Sequence, residues 1–271
     1  MSERRSRTVA VGGVSSFVAD DRGVSNVVGY ILVFSLITVT IGTVFAVGIT
    51  GVEDRREAER VANVERAFDV LDDNLRDVQR YGDPNRATEI RLAGGTLSVA
   101  EETRVVLANT SNASDLPNGT LGEWTSKRIA YREDDTTIAY DAGALVRGDG
   151  DGSVMLSEPR FVGVDGRTTL PIVALVRGDG DDRVAGDGTV QITAIAGQNA
   201  DSETTRYAAG GGTLYLWVET DQPDAWARYF DRADGFADAT PDGADGVAVA
   251  EIEHGDAVYV REIVRVVGLQ R

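Results

Sequence analysis

The chain has 271 residues, 44 acidic against 27 basic, a formal net charge of -17, a single histidine and no cysteine. That inventory excludes disulfides, thiolate metal sites and any mechanism built on paired histidines, and leaves carboxylates as the available catalytic groups. So acidic a surface, with Lys127 as its sole lysine, does not suit nucleic acid or an anionic membrane face, and its self-repulsion fits concentrated salt and a halophilic source.

Residues 1–23 carry Arg4, Arg5, Arg7 and Arg22 and close on Asp20-Asp21-Arg22-Gly23. Basic residues ahead of a first apolar helix hold that side in the cytoplasm, so this leader is expected inside and everything beyond the helix outside. Val24 to Val52 follows without a charge. As an α-helix it would span roughly 43 Å, more than the ~30 Å hydrocarbon core of a bilayer. No small-residue cleavage site follows it, so the helix is expected to be retained as a single membrane span.

Residues 53–82 continue as a charged helix whose larger apolar residues are Val61, Val64, Phe68, Leu71, Leu75 and Val78. Their alternating spacing of three and four makes one narrow stripe, ended by Gly82, Asp83 and Pro84. The two helical stretches are expected to form one rod from Val24 to about Tyr81, its stripe covering the domain that follows or forming a coiled-coil seam.

Residues 83–271 switch to a strand period. Glu89–Leu92 and Thr96–Val99 are expected to form a hairpin around Ala93-Gly94-Gly95. Further strands are expected at 103–107, 128–131, 136–140, 153–156, 160–164, 169–176, 188–195 and 213–218. A short helix is expected over Gln222–Arg232, with Pro223 near its start, before two last strands at 247–253 and 257–267 that turn at His254-Gly255-Asp256. The fold class is α+β, a long N-terminal helix packed on a mostly antiparallel sheet domain. The octapeptide ALVRGDGD occurs at 144–151 and again at 174–181, each copy a strand end running into a turn.

Three Asn-x-Ser/Thr sequons, at Asn109, Asn112 and Asn118, crowd one polar loop, and in a domain outside the membrane they make a glycosylated surface. Asp149, Asp151 and Ser153, and Asp179, Asp181 and Asp182 in the second copy, lack the full calcium-loop pattern, so no metal is assigned. No nucleophile with a base is legible, His254 reads as a turn residue, and neither a catalytic residue nor a cofactor is expected.

The run DDRGVSNVVGYIL resembles the start of archaeal type IV pilins, particularly haloarchaeal pilin-like proteins. Asp20, Asp21 and Arg22 match the charged side of such a class III signal peptide, Gly23 the small residue before the cut, and Val24, Ser25, Val27, Val28 and Gly29 the start of the helix. Asn26 stands where the halophile pattern has proline, and Val28 where many bacterial pilins have glutamate. A weaker likeness through ERVANVERAFDVLDDNLRDV points to uncharacterised haloarchaeal membrane-anchored proteins. The resemblance implies cleavage by a prepilin peptidase between Gly23 and Val24. It also implies a type IV pilin-like fold, and the membrane, other pilin-like subunits and their assembly machinery as partners. The expected product is a minor or pilin-like surface subunit. The alternatives are an uncut single-pass anchor carrying a binding module of the cell envelope, and an anchored hydrolase.

Overall fold

A computed structural model describes residues 21–81, 85–111, 118–150, 152–164, 166–201, 204–240, 246–253 and 257–271. The chain divides into two compact units between Arg56 and Glu57, and helix α1 (Asp21–Tyr81) contributes to both. In the first unit, Val27–Ile49 has a mean hydropathy of 2.3 and none of it is buried. By length and composition this stretch can cross a membrane.

The second unit, from Glu57, is the sheet domain. Its strands are β1 (Asn85–Ser98), β2 (Glu102–Thr110), β3 (Thr120–Lys127), β4 (Ile129–Glu133), β5 (Thr136–Asp141), β6 (Ala144–Asp149), β7 (Gly152–Ser157) and β8 (Val162–Val164). They continue with β9 (Arg167–Arg177), β10 (Arg183–Asp201), β11 (Thr205–Ala208), β12 (Thr213–Glu219), β13 (Phe236–Thr240), β14 (Val247–Ile252) and β15 (Ala257–Gln270), and α2 (Pro223–Phe230) lies between β12 and β13. The larger sheet runs β7-β6-β5-β4-β1-β10-β15-β9-β8, with β11 also pairing β15. The smaller runs β13-β14-β12-β2-β3. Pairing is antiparallel except between β15 and β9.

Side-chain alternation builds two cores on opposite faces of the larger sheet. In β9, Leu170 and Ile172 join the core shared with the smaller sheet and α2, whereas Val173 and Leu175 join the one under α1. In β15, Val258 and Val260 go with the former, Val267 and Leu269 with the latter. The apolar stripe of α1 lies on the second core: Val61, Val64, Phe68, Leu71 and Leu75 are buried there among Ile90, Leu97, Tyr131, Val190 and Ile192. Each such side chain contributes about 1.5–3 kcal/mol by leaving water. The covering role is the one the structure gives this stripe, and Val78 lies outside the residues whose side chains are described.

Polar ties hold the helix in register on the sheet. Arg147 of β6 reaches Glu65 at 3.0 Å, and Arg76 donates to Ser157 Oγ and, at 3.1 Å, to the Glu158 carbonyl.

Three expectations are corrected. Residues 85–98 form one strand, not a hairpin: Ala93 pairs Asp187 and Thr96 pairs Ala185, so Gly94 and Gly95 are an inserted bulge on a continuous ladder with β10. Both glycines take positive φ, and a Cβ on Gly95 would sit 2.7 Å from the Tyr131 ring, so the bulge makes room for that side chain. The polar loop after β2 holds a further strand, β3, whose only large apolar residues are Leu121 and Trp124. The last two strands do not pair: β14 lies in the smaller sheet and β15 in the larger, and His254–Asp256 between them lie outside the described residues.

Candidate functional site

The apolar stretch of α1 is built to satisfy its own polar groups. Thr38 Oγ1 donates to the Phe34 carbonyl at 2.9 Å, Thr40 to Leu36 at 2.8 Å and Thr43 to Val39 at 2.9 Å. A hydroxyl bonded to its own helix carries little penalty in hydrocarbon. Tyr30 and Phe34 stack one turn apart, with ring centroids 6.4 Å from each other. Gly29, Gly42 and Gly48 have open space where a Cβ would stand, so the helix offers bare backbone there. Ser35, Thr38, Gly42 and Ala46 follow one another at helical spacing, a small-residue track of the kind along which membrane helices approach closely. Asp21, Arg22, Gly23 and Val24 occupy the first positions of α1, while Asp20 lies outside the described residues.

The sequons fall in unlike places. Asn109 is on β2, partly buried, and its Nδ2 donates to the Ala209 carbonyl at 2.6 Å. Asn118 opens the exposed turn before β3. Asn112 lies outside the described residues.

The repeated Arg-Gly-Asp turns are tied down internally. Arg147 bonds Asp149 at 2.9 Å as well as Glu65, Asp149 also accepts from Thr136 Oγ1 at 3.0 Å, and Arg177 pairs with Asp182. Ser153 is buried and accepts the Ala225 backbone N–H at 3.0 Å, so it caps the first turn of α2, where Gln222 offers no side-chain bond. Among the described residues no group of three or more His, Cys, Asp or Glu side chains is placed to hold a metal ion.

Two polar clusters were not legible in the sequence. Asp141, wholly buried at the end of β5, accepts from Thr103 Oγ1, from Thr220 Oγ1 at 2.6 Å and from Trp226 Nε1 at 3.1 Å. Arg128, between β3 and β4 and equally buried, donates from Nη1 to Asp221 at 2.5 Å. Arg132 shares that aspartate at 3.1 Å and forks onto Glu101. An aspartate after an alternating strand carries no mark that distinguishes a turn residue from a buried acceptor.

Titration is perturbed elsewhere. Burial pushes the Asp72 carboxyl above its usual range, against the opposing pull of its bond to Ser157 and of the Arg76 guanidinium 2.9 Å away. Burial likewise raises the Tyr131 and Tyr229 hydroxyls, the former also by its bond to Glu133 at 2.6 Å.

A family of unknown function, DUF7289, matches residues 22–266, covering the apolar helix and nearly all of the sheet domain. An uncharacterized protein of Archaeoglobus fulgidus is 24% identical over 267 residues, spanning 82% of this chain and 87% of that protein. No solved structure matches.

Proposed function

The chain belongs to the DUF7289 family, whose function is unknown, and we propose that it is a pilin-like structural subunit of the cell surface. In this reading a prepilin peptidase cuts after Gly23, leaving Val24 as the new N-terminus. The apolar helix waits in the membrane and then packs with those of other pilin-like subunits, and the acidic sheet domain is displayed outside. The role is structural and not enzymatic. The observation that carries it is the wholly exposed apolar stretch Val27–Ile49, whose helix opens at the Asp-Arg-Gly-Val run. A soluble domain has no use for such a surface, and helix-to-helix packing in lipid or in a filament core would cover it.

Intact-mass and N-terminal analysis of the mature protein tests the cut. The expected chain begins at Val24, and a mature chain beginning upstream of Gly23, with Gly23 substitutions harmless to surface assembly, overturns the proposal.

The second reading, an uncut single-span anchor carrying a binding module, draws on a polar groove of about 620 Å³ lined by Gly163, Thr213, Asp234, Gly235, Glu251 and Glu253. It predicts full-length chain in the membrane fraction and none in sheared surface material.

A further inference from the structure

We infer that of the two sequon asparagines whose surroundings the structure describes, Asn118, and not Asn109, carries an N-linked oligosaccharide. The inference rests on the reading that the sheet domain lies outside the membrane.

The chemistry sets the requirement. Transfer from a lipid-linked sugar phosphate forms a bond between the asparagine Nδ2 and the sugar C1 as the C1–O bond to phosphate breaks. The phosphate leaves with the electron pair, and Nδ2 gives up one proton. The amide nitrogen must therefore be reachable and not already committed, and the product needs open solvent for the sugar.

Asn109 fails on each count. Its Nδ2 donates to the Ala209 carbonyl, and its own backbone N–H is bonded to the Gly119 carbonyl at 2.9 Å. The chain closes on it from two directions: a Cβ on Gly212 would lie 2.0 Å from Asn109 Oδ1, and one on Gly119 would lie 2.2 Å from Asn109 O. With Gly212 packed against the Asn109 amide and Nδ2 bonded to Ala209, a sugar on Nδ2 would require the contact between β2 and the turn before β12 to open. Breaking the Nδ2 hydrogen bond to Ala209 would also leave a polar group unsatisfied in a partly buried site.

Asn118 meets the requirement. Asn118, Gly119 and Thr120 are all exposed, and the Asn118 side chain bonds no other described residue. Gly119 holds φ at +76°, a left-handed turn conformation that glycine adopts without strain, and the Asn118-Gly119 turn leads directly into β3. β3 is an edge strand of the smaller sheet, so a sugar at its start would stand beside that edge and hinder pairing with a second chain.

The test uses the full chain isolated from membranes of its source cells, with Val154→Cys added on exposed β7 as a thiol unique in a cysteine-free sequence. Intact cells are treated with a membrane-impermeant maleimide, and the purified protein is then digested for glycopeptide mass spectrometry. The expected result is a labelled thiol, a sugar-bearing Asn118 peptide that reverts to bare mass in Asn118→Gln, and an Asn109 peptide found only unmodified. Asn109→Gln is expected to lower the unfolding temperature, and Asn118→Gln to leave the fold intact. A labelled thiol with a bare Asn118 peptide overturns this inference while the outside location stands. An unlabelled thiol with a bare peptide overturns both. Sugar on Asn109 overturns the inference whatever else is found.

Discussion

The indole Nε1–H of Trp226 donates to Asp141 Oδ2 at 3.1 Å, joining α2, the helix between two strands of the smaller sheet, to the end of a strand in the larger one. Thr220 and Thr103 bond the same carboxylate, so one buried acceptor gathers three donors from the other layer. Asp141→Asn removes one acceptor oxygen and turns an N–H₂ group toward donors. We expect a loss of about 2 kcal/mol, in the range for a buried group left unsatisfied. Paired with Trp226→Phe in a double-mutant cycle, the two changes should be coupled by about 0.5–3 kcal/mol. Denaturant unfolding of the detergent-solubilised chain measures both, and additive effects would mean that the contact carries no energy of its own.

The α1 stripe gives an internal control. Phe68 is fully buried, whereas Val70, two residues on, is 53% exposed. Phe68→Ala is expected to cost about 3–5 kcal/mol, from the apolar surface no longer buried and the cavity that remains. Val70→Ala should stay within about 0.5 kcal/mol, as for surface changes generally. Equal effects on the thermal unfolding of the sheet domain would show that the helix face is not its cover.

Arg128 is predicted to be replaceable. Its side chain is wholly buried, with Nε and Nη2 lacking hydrogen-bond partners among the described residues. Its partner Asp221 is half exposed and keeps Arg132. Arg128→Met therefore removes a poorly satisfied buried charge without stranding another. It should lie within about 1 kcal/mol of the parent or stabilise it, as replacement of buried ion pairs by apolar groups often does. Arg128→Ala, which leaves a void, should cost about 2–4 kcal/mol. A methionine variant as damaged as the alanine one in a denaturant titration would contradict this.

Asp72 sets a pH dependence. Because its folded pKa is raised chiefly by burial, the folded state holds a proton that the unfolded chain has released, between the ordinary carboxylate value of about 3.9 and the raised one. Stability from this group is thus present at the acid end and lost as pH rises through that window. The stability of the parent relative to Asp72→Asn should fall with increasing pH in unfolding temperatures taken across the acid range. A difference that is flat, or that grows, would contradict the assignment.

The sequence disclosed those features whose period runs over many residues. The stripe from Val61 to Leu75 announced a helix with one face to cover, and the alternation of 169–176 and 213–218 announced strands. Single residues misled where tertiary pairing decided the outcome. Gly94-Gly95 has the composition of a hairpin turn, yet β10 pairs with both flanks and turns the glycines into a bulge. Thr120–Lys127 lacks an apolar alternation because it is an edge strand with only Trp124 and Ser126 buried, so it read as loop. For the sites, the sequons stood in plain text, but their inequivalence depends on Ala209 and Gly212, about a hundred residues further along the chain. Asp141 was hidden for the same reason, its donors lying at 103, 220 and 226.

The last strand has a kinetic consequence. β15 sits between β10 and β9 and pairs β9 in parallel from Val258 with Thr168 to Val267 with Arg177, so the segment that joins the two halves of the larger sheet is the last of its strands to be synthesised. Contacts of such long sequence separation form slowly, since much chain must be ordered before they repay it. Until residues 257–270 emerge, the long edges of β9 and β10 stay open to pairing with other chains. Closure of the larger sheet must therefore wait until residues 257–270 have been made, and until then the nascent domain presents edges at which chains can pair wrongly.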